Sequence, residues 1–346
     1  MIWTNAGKKW GIDTQDRSGE KFSLGVLDLV PRLNGASAEH ALQQAVLLAQ
    51  QAEAWGYRRY WASEHHDMAE LASASPEVLL SHIGAKTDTI LLGSGAVLLP
   101  HYSPLKVAES FRLLASLYPG RIELGLGRAP GGGPHATMAL SGNYLQHVSD
   151  LPAKLASLTE LLEDRFAYED VMVTARPVPE IPLSLWMLGT NVKSAVYAAQ
   201  FGMGYVFGQF MSDSDGVEAV RRYREEFVPS AGLKEPEVMV AVSAMCAATE
   251  NDAIHWSMEI ASQRKGNRDT NEREKNMDTV KGSSQSNSSN KEDKEVQRHV
   301  AGTPEQIWQY IRQAGQRLNT NRILVVTAGP DYERRLESYR LLAGLR

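Results

Sequence analysis

The 346-residue sequence predicts an α/β fold, namely a (β/α)8 TIM barrel with insertions after strand 4 and before the last helices. Eight short runs of aliphatic and β-branched residues alternate with longer stretches of helical periodicity. Strands that are apolar throughout, each followed by a helix, imply a parallel sheet covered by helices. An open doubly wound sheet is the alternative, but the first strand is not followed by a GxGxxG turn.

The predicted strands occupy residues 21–30, 57–63, 89–99, 121–127, 183–189, 203–208, 237–248 and 321–327. Helix boundaries between them carry recognisable end signals. Gly56 is placed to end the first helix, and Ser103 precedes a proline at the start of a later one. Thr303 and Gln306 have the spacing of a capping box, which predicts another helix start.

The domain organisation expected from this pattern is a single barrel domain over residues 22–346, preceded by a polar N-terminal extension at 1–21. Residues 129–148 form a glycine-rich insertion after the fourth strand. The insertion at 263–298 has few apolar side chains, so it is expected to be disordered, although an active-site lid is the alternative.

Composition excludes several classes of function. The net charge of -5 gives no basic surface, so nucleic acid is not expected as a partner. No run approaches the length of a membrane-spanning helix, and the N-terminus lacks the apolar core of a signal peptide. The one cysteine, Cys246, lies in an apolar run and is expected to be a buried small residue. A cytoplasmic protein without disulfides is therefore expected.

Polar side chains follow several of the predicted strands at the point where each strand ends. Glu64, His65, His66 and Asp67 follow the second strand, and Arg128 follows the fourth. Further polar stretches follow the third strand at 100–104 and the fifth at 189–195. Because active sites of parallel barrels lie at the carboxyl ends of the strands, one mouth is expected to collect them all.

A metal site is the weaker interpretation of this mouth. Adjacent side chains of an extended chain, here His65 and His66, point to opposite faces and do not readily share one ion. The nearby Arg128 also disfavours a bound cation. We expect no metal, and a metal-dependent barrel hydrolase that uses His65, His66 and Asp67 remains an alternative.

An anion site is favoured instead. Gly189, Thr190 and Asn191 lie between a strand and a helix expected to begin near Val192, and a helix N-terminus attracts phosphate. Arg128 can add a bidentate contact. The alternative is that this stretch is only a turn with an N-cap. Small residues at 93–96 leave room for a flat ligand, or else serve close packing of a helix on the strand.

In combination, these stretches resemble the bacterial luciferase-like flavin-dependent monooxygenases, and most closely their single-chain, alkanal-monooxygenase-like branch. The resemblance runs from about Phe22 to Leu342 without the polar insertion. The stretches that carry it are 56–67, 90–110, 121–132, 185–208 and 301–311.

The resemblance implies an enzyme that binds FMN at the barrel mouth and uses reduced FMN and O2 to oxidise a small organic substrate, for example an aldehyde. It implies that a separate flavin reductase supplies the reduced FMN, and that the chain forms a homodimer. A deazaflavin-dependent oxidoreductase on the same barrel is the first alternative. A flavin-binding protein without catalytic activity is another.

The resemblance also assigns roles to residues of the second and third strand ends. His65 matches the catalytic histidine of the family, placed to move protons beside the flavin, and Glu64 matches the acidic residue next to it. His66 is a supporting group or a structural histidine. Gly95 and Ala96 match small residues beneath the isoalloxazine that are often joined by a cis peptide bond.

The phosphate contacts follow from the same resemblance. Arg128 matches the arginine that holds the phosphate, while Gly189, Thr190 and Asn191 match a phosphate-binding turn. Asn191 departs from the more common serine. Gly127 stands where the light-emitting enzyme has a reactive cysteine, which weakens any analogy with long-lived luminescent intermediates.

Overall fold

The computed structural model describes residues 22–263 and 299–344. The polar extension predicted for residues 1–21 lies outside the described residues, as does the insertion predicted at 263–298 apart from its first residue. No helix in the described part of the chain is long and apolar enough to cross a membrane.

Eight parallel strands close into a ring, which confirms the predicted (β/α)8 barrel. The last strand pairs with the first in the register Ser23 to Arg322 through Val26 to Val325. In ring order the strands are β1 (Ser23–Asp28), β2 (Arg59–Ala62), β3 (Leu91–Ser94), β4 (Ile122–Gly127), β5 (Ser184–Gly189), β6 (Gly204–Gly208), β7 (Val238–Cys246) and β8 (Arg322–Val326).

Helices cover the outside of the ring and lie in the connections between strands. Two of them, α4 and α5, occupy the glycine-rich insertion after β4, so this insertion has helical structure of its own. The helices are α1 (Ala38–Ala54), α2 (Pro76–Gly84), α3 (Pro104–Leu117), α4 (Pro134–Ser141), α5 (Tyr144–Ser149), α6 (Leu151–Leu162), α7 (Val192–Gln200), α8 (Val217–Glu225), α9 (250–263), α10 (Pro304–Leu318) and α11 (Tyr332–Ala343).

Two short strands are added to the barrel, and two more form a separate hairpin. Val97–Leu98 pairs with the end of β4, and His299–Gly302 pairs with the second half of β7. Ala167–Tyr168 and Val171–Met172 form an antiparallel hairpin between α6 and β5. None of these four strands interrupts the ring.

The helix ends follow most of the sequence signals. Thr303 accepts the main-chain N–H of Gln306 and the Gln306 side chain bonds back to the main chain of Thr303, so the capping box forms as predicted. Gly56 has a φ of 80°, a conformation that suits glycine at a helix end. Ser103 is the N-cap of α3, but its side chain makes no capping hydrogen bond.

The barrel interior contains an apolar cluster with two tryptophans at its centre, and the Trp61 indole N–H donates to the buried Glu123 carboxylate at 2.6 Å. Trp61 of β2 and Trp186 of β5 meet edge to face, with ring centroids 6.1 Å apart. Gly93 faces this pair, and a Cβ at that position would overlap the Trp61 indole. Gly93 therefore makes room for Trp61. The cluster comprises Leu27, Trp61, Trp186, Val206, Met239, Ala241, Leu324 and Val326.

A buried ion pair links the first strand to the last helix. Asp28 of β1 is completely buried, and its carboxylate accepts a 2.6 Å hydrogen bond from the Arg335 guanidinium of α11. The Tyr60 hydroxyl donates to the other carboxylate oxygen at 2.7 Å. Cys246 belongs to the apolar core between barrel and helices, and burial raises the pKa of its thiol to about 12, so it is the buried small residue that its setting predicts.

Candidate functional site at the barrel mouth

The polar segments that follow β2, β4 and β5 lie at the carboxyl end of the barrel, because the strands of the ring are parallel. The glycine-rich turn after β4 packs directly on the cluster after β2. The main-chain N–H of His66 donates to the carbonyl of Gly131 at 2.8 Å, and a Cβ on Gly132 would overlap the His66 carbonyl. The cluster at 64–66 and the loop that begins at Arg128 therefore share one wall of the mouth.

Glu64 is buried, and three donors surround its carboxylate. One oxygen accepts the His66 imidazole at 2.9 Å and the Tyr102 hydroxyl at 2.8 Å, and the other accepts the main-chain N–H of Leu98 at 3.1 Å. Burial and this neighbouring carboxylate raise the pKa of Tyr102, which keeps its hydroxyl a donor. Glu64 thus holds its own segment against the stretch after β3 that contains Leu98 and Tyr102.

His65 is partly buried, with one ring nitrogen held by its neighbour. Its Nδ1 lies 3.0 Å from the Ser63 hydroxyl, and its main-chain N–H donates to the carbonyl of Ser73 at 2.9 Å. Burial lowers the pKa of His65 below its usual value despite the opposing charge of Glu64. A neutral imidazole with a fixed ring is suited to accept and return a proton at neutral pH.

The third strand end supplies a turn of small residues above the interior tryptophans. The peptide bond between Gly95 and Ala96 is cis, the geometry that the resemblance predicts. A Cβ on Gly95 would overlap the Leu27 side chain and contact Trp61. At this turn the main chain itself therefore forms the floor of the mouth, and the apolar side chains of Leu27 and Trp61 lie directly beneath it.

Arg128, directly after β4, reaches across to the segment after β5. Its Nε donates to the Ser194 hydroxyl and its terminal nitrogen donates to the Asn191 amide oxygen, both at 3.1 Å. Both partners are neutral. Among residues 22–263 and 299–344, no carboxylate forms an ion pair with Arg128.

The segment after β5 is a helix start, as predicted. Asn191 is the N-cap of α7, and its side-chain oxygen accepts the main-chain N–H of Ser194 at 3.3 Å. A Cβ on Gly189 would overlap the Ser194 side chain, so the close approach of turn and helix depends on glycine. The Ser212 hydroxyl donates to the carbonyl of Thr190 at 3.1 Å, which holds the turn on its other side.

Two residues of this site were not identified from sequence. Ser194 is one of the two partners of Arg128, and its only sequence signal is a hydroxyl three residues after the predicted N-cap. The Tyr144 hydroxyl donates to the main-chain carbonyl of Arg128 at 2.6 Å. Tyr144 has no local signal, because its contact depends on the path of the insertion between α4 and α5.

The histidines of the cluster at 64–66 do not form a metal site in the structure. His66 bonds to Glu64 and His65 to Ser63, while Asp67 is exposed. Within residues 22–263 and 299–344, no three His, Cys, Asp or Glu side chains are grouped so that they could hold a metal ion.

Comparison with known proteins places this geometry in a family. A family model described as luciferase-like monooxygenase matches residues 23–320. The uncharacterised protein YwcH of Bacillus subtilis is 40% identical over 343 residues, covering 92% of this chain and 98% of that protein. A luciferase-like monooxygenase of Escherichia coli is 42% identical over 236 residues, covering 67% and 68% of the two chains.

Solved structures extend the likeness to the fold. Apo-MsnO8 is 32% identical and superposes with a TM-score of 0.79, covering 93% of this chain and 98% of its own. Two structures below 25% identity share the fold alone: an oxygenating component of 3,6-diketocamphane monooxygenase in complex with FMN, TM-score 0.65, and an F420-dependent secondary alcohol dehydrogenase, TM-score 0.67.

Among the relatives found by sequence is also an N-acetyl-S-alkylcysteine monooxygenase of Bacillus subtilis. It is 39% identical over 234 residues, covering 66% of this chain and 69% of its own.

Proposed function

This chain belongs to the luciferase-like monooxygenase family and is a monooxygenase, and from this premise we propose that it uses reduced FMN and O2 to oxidise a small organic substrate at the barrel mouth. The observation that carries the choice of cofactor is the setting of Arg128. Its guanidinium bonds only to neutral oxygens of Asn191 and Ser194 among the described residues, so its positive charge is available to an anion.

The residues around Arg128 fit a phosphate group. The first N–H groups of α7 and the positive end of its dipole favour a negative charge at the turn of Gly189, Thr190 and Asn191. The hydroxyls of Thr190 and Ser194 add donors. A monoester phosphate, such as that of FMN, would take two oxygens to Arg128 and others to this turn.

The floor of the mouth fits a flat ring system. The Gly95–Ala96 turn carries no side chain larger than a methyl group, and the layer below it is the apolar cluster around Trp61. An isoalloxazine ring would lie on this turn with its phosphate at Arg128. Reduced FMN would be the group that reacts with O2, and the apolar surroundings would keep water away from the reacting atoms.

Two further residues of the mouth are proposed to transfer a proton and to hold the site in position. His65 is proposed to accept a proton from the reacting substrate and return it, since its Nδ1 is held by Ser63 and its Nε2 is left for that task. Glu64 is proposed to act beside it as a positioning residue, because its carboxylate binds His66, Tyr102 and the main chain of Leu98.

A deazaflavin cofactor is the second candidate, because one structure with this fold binds FMN and another depends on F420. The compact seat for a single phosphate favours FMN. The substrate is proposed to be small and organic, with an aldehyde and an N-acetyl-S-alkylcysteine as the first two compounds to test, the latter after the name of one relative.

Further partners follow from the proposed reaction. Reduced FMN would come from a separate flavin reductase in the cytoplasm. A homodimer is proposed because apolar side chains of neighbouring helices face outward: Leu113 and Leu117 of α3 are 51% and 53% exposed, and Val78 of α2 is 67% exposed.

The proposal is tested by titrating the purified chain with FMN, riboflavin and F420, followed by oxygen-uptake assays with a generic flavin reductase, NADH and each candidate substrate. We expect FMN to bind more tightly than riboflavin or F420, and substrate to be oxidised only when reduced FMN and O2 are both present. Tighter binding of F420 would overturn the choice of cofactor. Binding of FMN without turnover of any substrate would favour a flavin-binding protein without catalytic activity.

A further inference from the structure

The helical insertion after β4 returns to the residue at which it begins. It starts at Arg128, passes through α4, turns at Gly142 and enters α5 at Tyr144. The Tyr144 hydroxyl then donates to the main-chain carbonyl of Arg128 at 2.6 Å. This contact joins two residues that are 16 positions apart in sequence and closes the insertion on the base of the arginine side chain.

The ring of Tyr144 is held as firmly as its hydroxyl. It stacks on the His101 imidazole, with ring centroids 5.1 Å apart and an interplanar angle of 25°. Both nitrogens of that imidazole are bonded, one to the Ser141 hydroxyl at 2.8 Å and the other to the carbonyl of Pro130 at 3.0 Å. Since the Pro130 carbonyl can only accept, this nitrogen carries the proton.

The corner between α4 and α5 is fixed independently of the stack. The Asn143 side chain accepts the main-chain N–H of Gln146 and caps α5, and the His147 imidazole bonds to the carbonyl of Ser141 at 2.9 Å. The position of Tyr144 is therefore set by its own helix and by His101, independently of its contact with Arg128. Burial also raises the pKa of Tyr144, so its hydroxyl remains a donor at neutral pH.

From these contacts we propose that Tyr144 is a positioning residue for the phosphate seat, which fixes the main chain of Arg128 so that the guanidinium meets the phosphate in one orientation. This inference rests on the proposed function, because the phosphate is that of FMN. Tyr144 itself touches neither cofactor nor substrate. Its effect should accordingly be confined to ligands that carry a phosphate.

The test compares Tyr144→Phe with the wild-type chain in titrations with FMN and with riboflavin, which lacks the phosphate. The variant keeps the aromatic stack on His101 and removes only the hydroxyl donor. We expect the FMN dissociation constant to rise about five- to tenfold, as for the loss of one hydrogen bond, with the riboflavin constant unchanged within about twofold. Tyr168→Phe, at a side chain that is 64% exposed on the hairpin, is the matched control and should change neither constant.

A double-mutant cycle with Arg128→Ala separates positioning from a general structural role. If Tyr144 acts through Arg128, Tyr144→Phe causes no additional loss of FMN affinity once the guanidinium is gone. Equal losses for FMN and riboflavin, an unchanged FMN constant, or a full additional loss in the Arg128→Ala background would each overturn the inference. Failure of the proposed function would look different, because wild-type protein would then not prefer FMN over riboflavin.

Discussion

The Arg128 guanidinium donates a 3.1 Å hydrogen bond to the amide oxygen of Asn191. The same oxygen caps α7 by accepting the main-chain N–H of Ser194. One side chain thus sets both the start of the helix and the orientation of the arginine, and it brings two sources of positive potential to the same place. Asn191, in the position where the family resemblance predicts a serine, is well suited to this double role because its carbonyl oxygen has two acceptor sites.

Removal of the Arg128 charge should therefore weaken the binding of ligands that carry a phosphate group. We expect Arg128→Ala to raise the FMN dissociation constant about 10- to 100-fold, which corresponds to the loss of hydrogen bonds to a charged group. Riboflavin binding should change by less than about threefold. Arg165→Ala, which removes an exposed arginine paired with Glu160 and Glu163, is the control. A parallel loss of riboflavin affinity would assign Arg128 to the ring or to folding.

His65 should affect turnover more than binding. We expect His65→Gln to lower kcat at least about 100-fold, in the range of lost general acid–base catalysis, while the FMN dissociation constant stays within about threefold. Because burial lowers the pKa of His65 from its usual 6.5, the neutral form predominates at neutral pH. The wild-type rate should therefore decline only as the pH falls below 6.5, and the variant should lack this limb. A pH profile that keeps it would place the titrating group elsewhere.

The proposed dimer can be tested at α3. Leu113→Asp places a charge on the outward apolar face of this helix, so we expect it to convert a dimer into monomers in light-scattering measurements on a size-exclusion column. Leu145→Asp is the control, since Leu145 is 79% exposed and belongs to a different helix, α5. A monomeric wild-type protein would contradict the proposed dimer directly.

The buried ion pair between Asp28 and Arg335 should matter for stability. Arg335→Met leaves the Asp28 carboxylate buried without its cation, and we expect a loss of about 3–5 kcal/mol in the free energy of unfolding measured with urea. Arg340→Met on the same helix removes an exposed pair with Glu337 and should cost no more than about 1 kcal/mol. Similar losses for the two variants would show that burial of the pair is not the cause.

Much of the fold could be predicted because its signals are local. The apolar runs that become β1 to β8 and the capping box at Thr303 depend on residues close in sequence, and the structure confirms both. Ser103 shows the limit of such signals, because a side chain suited to capping makes no capping bond there. The small residue Gly93 could not be explained from sequence, since the Trp61 indole that requires it comes from a neighbouring strand.

The site could be predicted in its position but only partly in its contacts. Arg128 and the turn before α7 follow strands, so the parallel barrel alone brings them to one end. Tyr144 could not be identified because its bond to Arg128 requires the turn between two helices that the glycine-rich composition of the insertion did not reveal. The buried position of Glu64, with its three donors, likewise depends on segments after β3.

The pairing of β1 with β8 also constrains how the chain acquires its structure during synthesis. β1 is synthesised before the other strands, yet its partner β8 and the Arg335 that balances Asp28 follow all the other strands of the ring. Until then, one edge of the nascent sheet has open main-chain groups and a carboxylate without its counter-charge. The ring therefore closes only after the stretch from Arg322 to Arg335 has been synthesised.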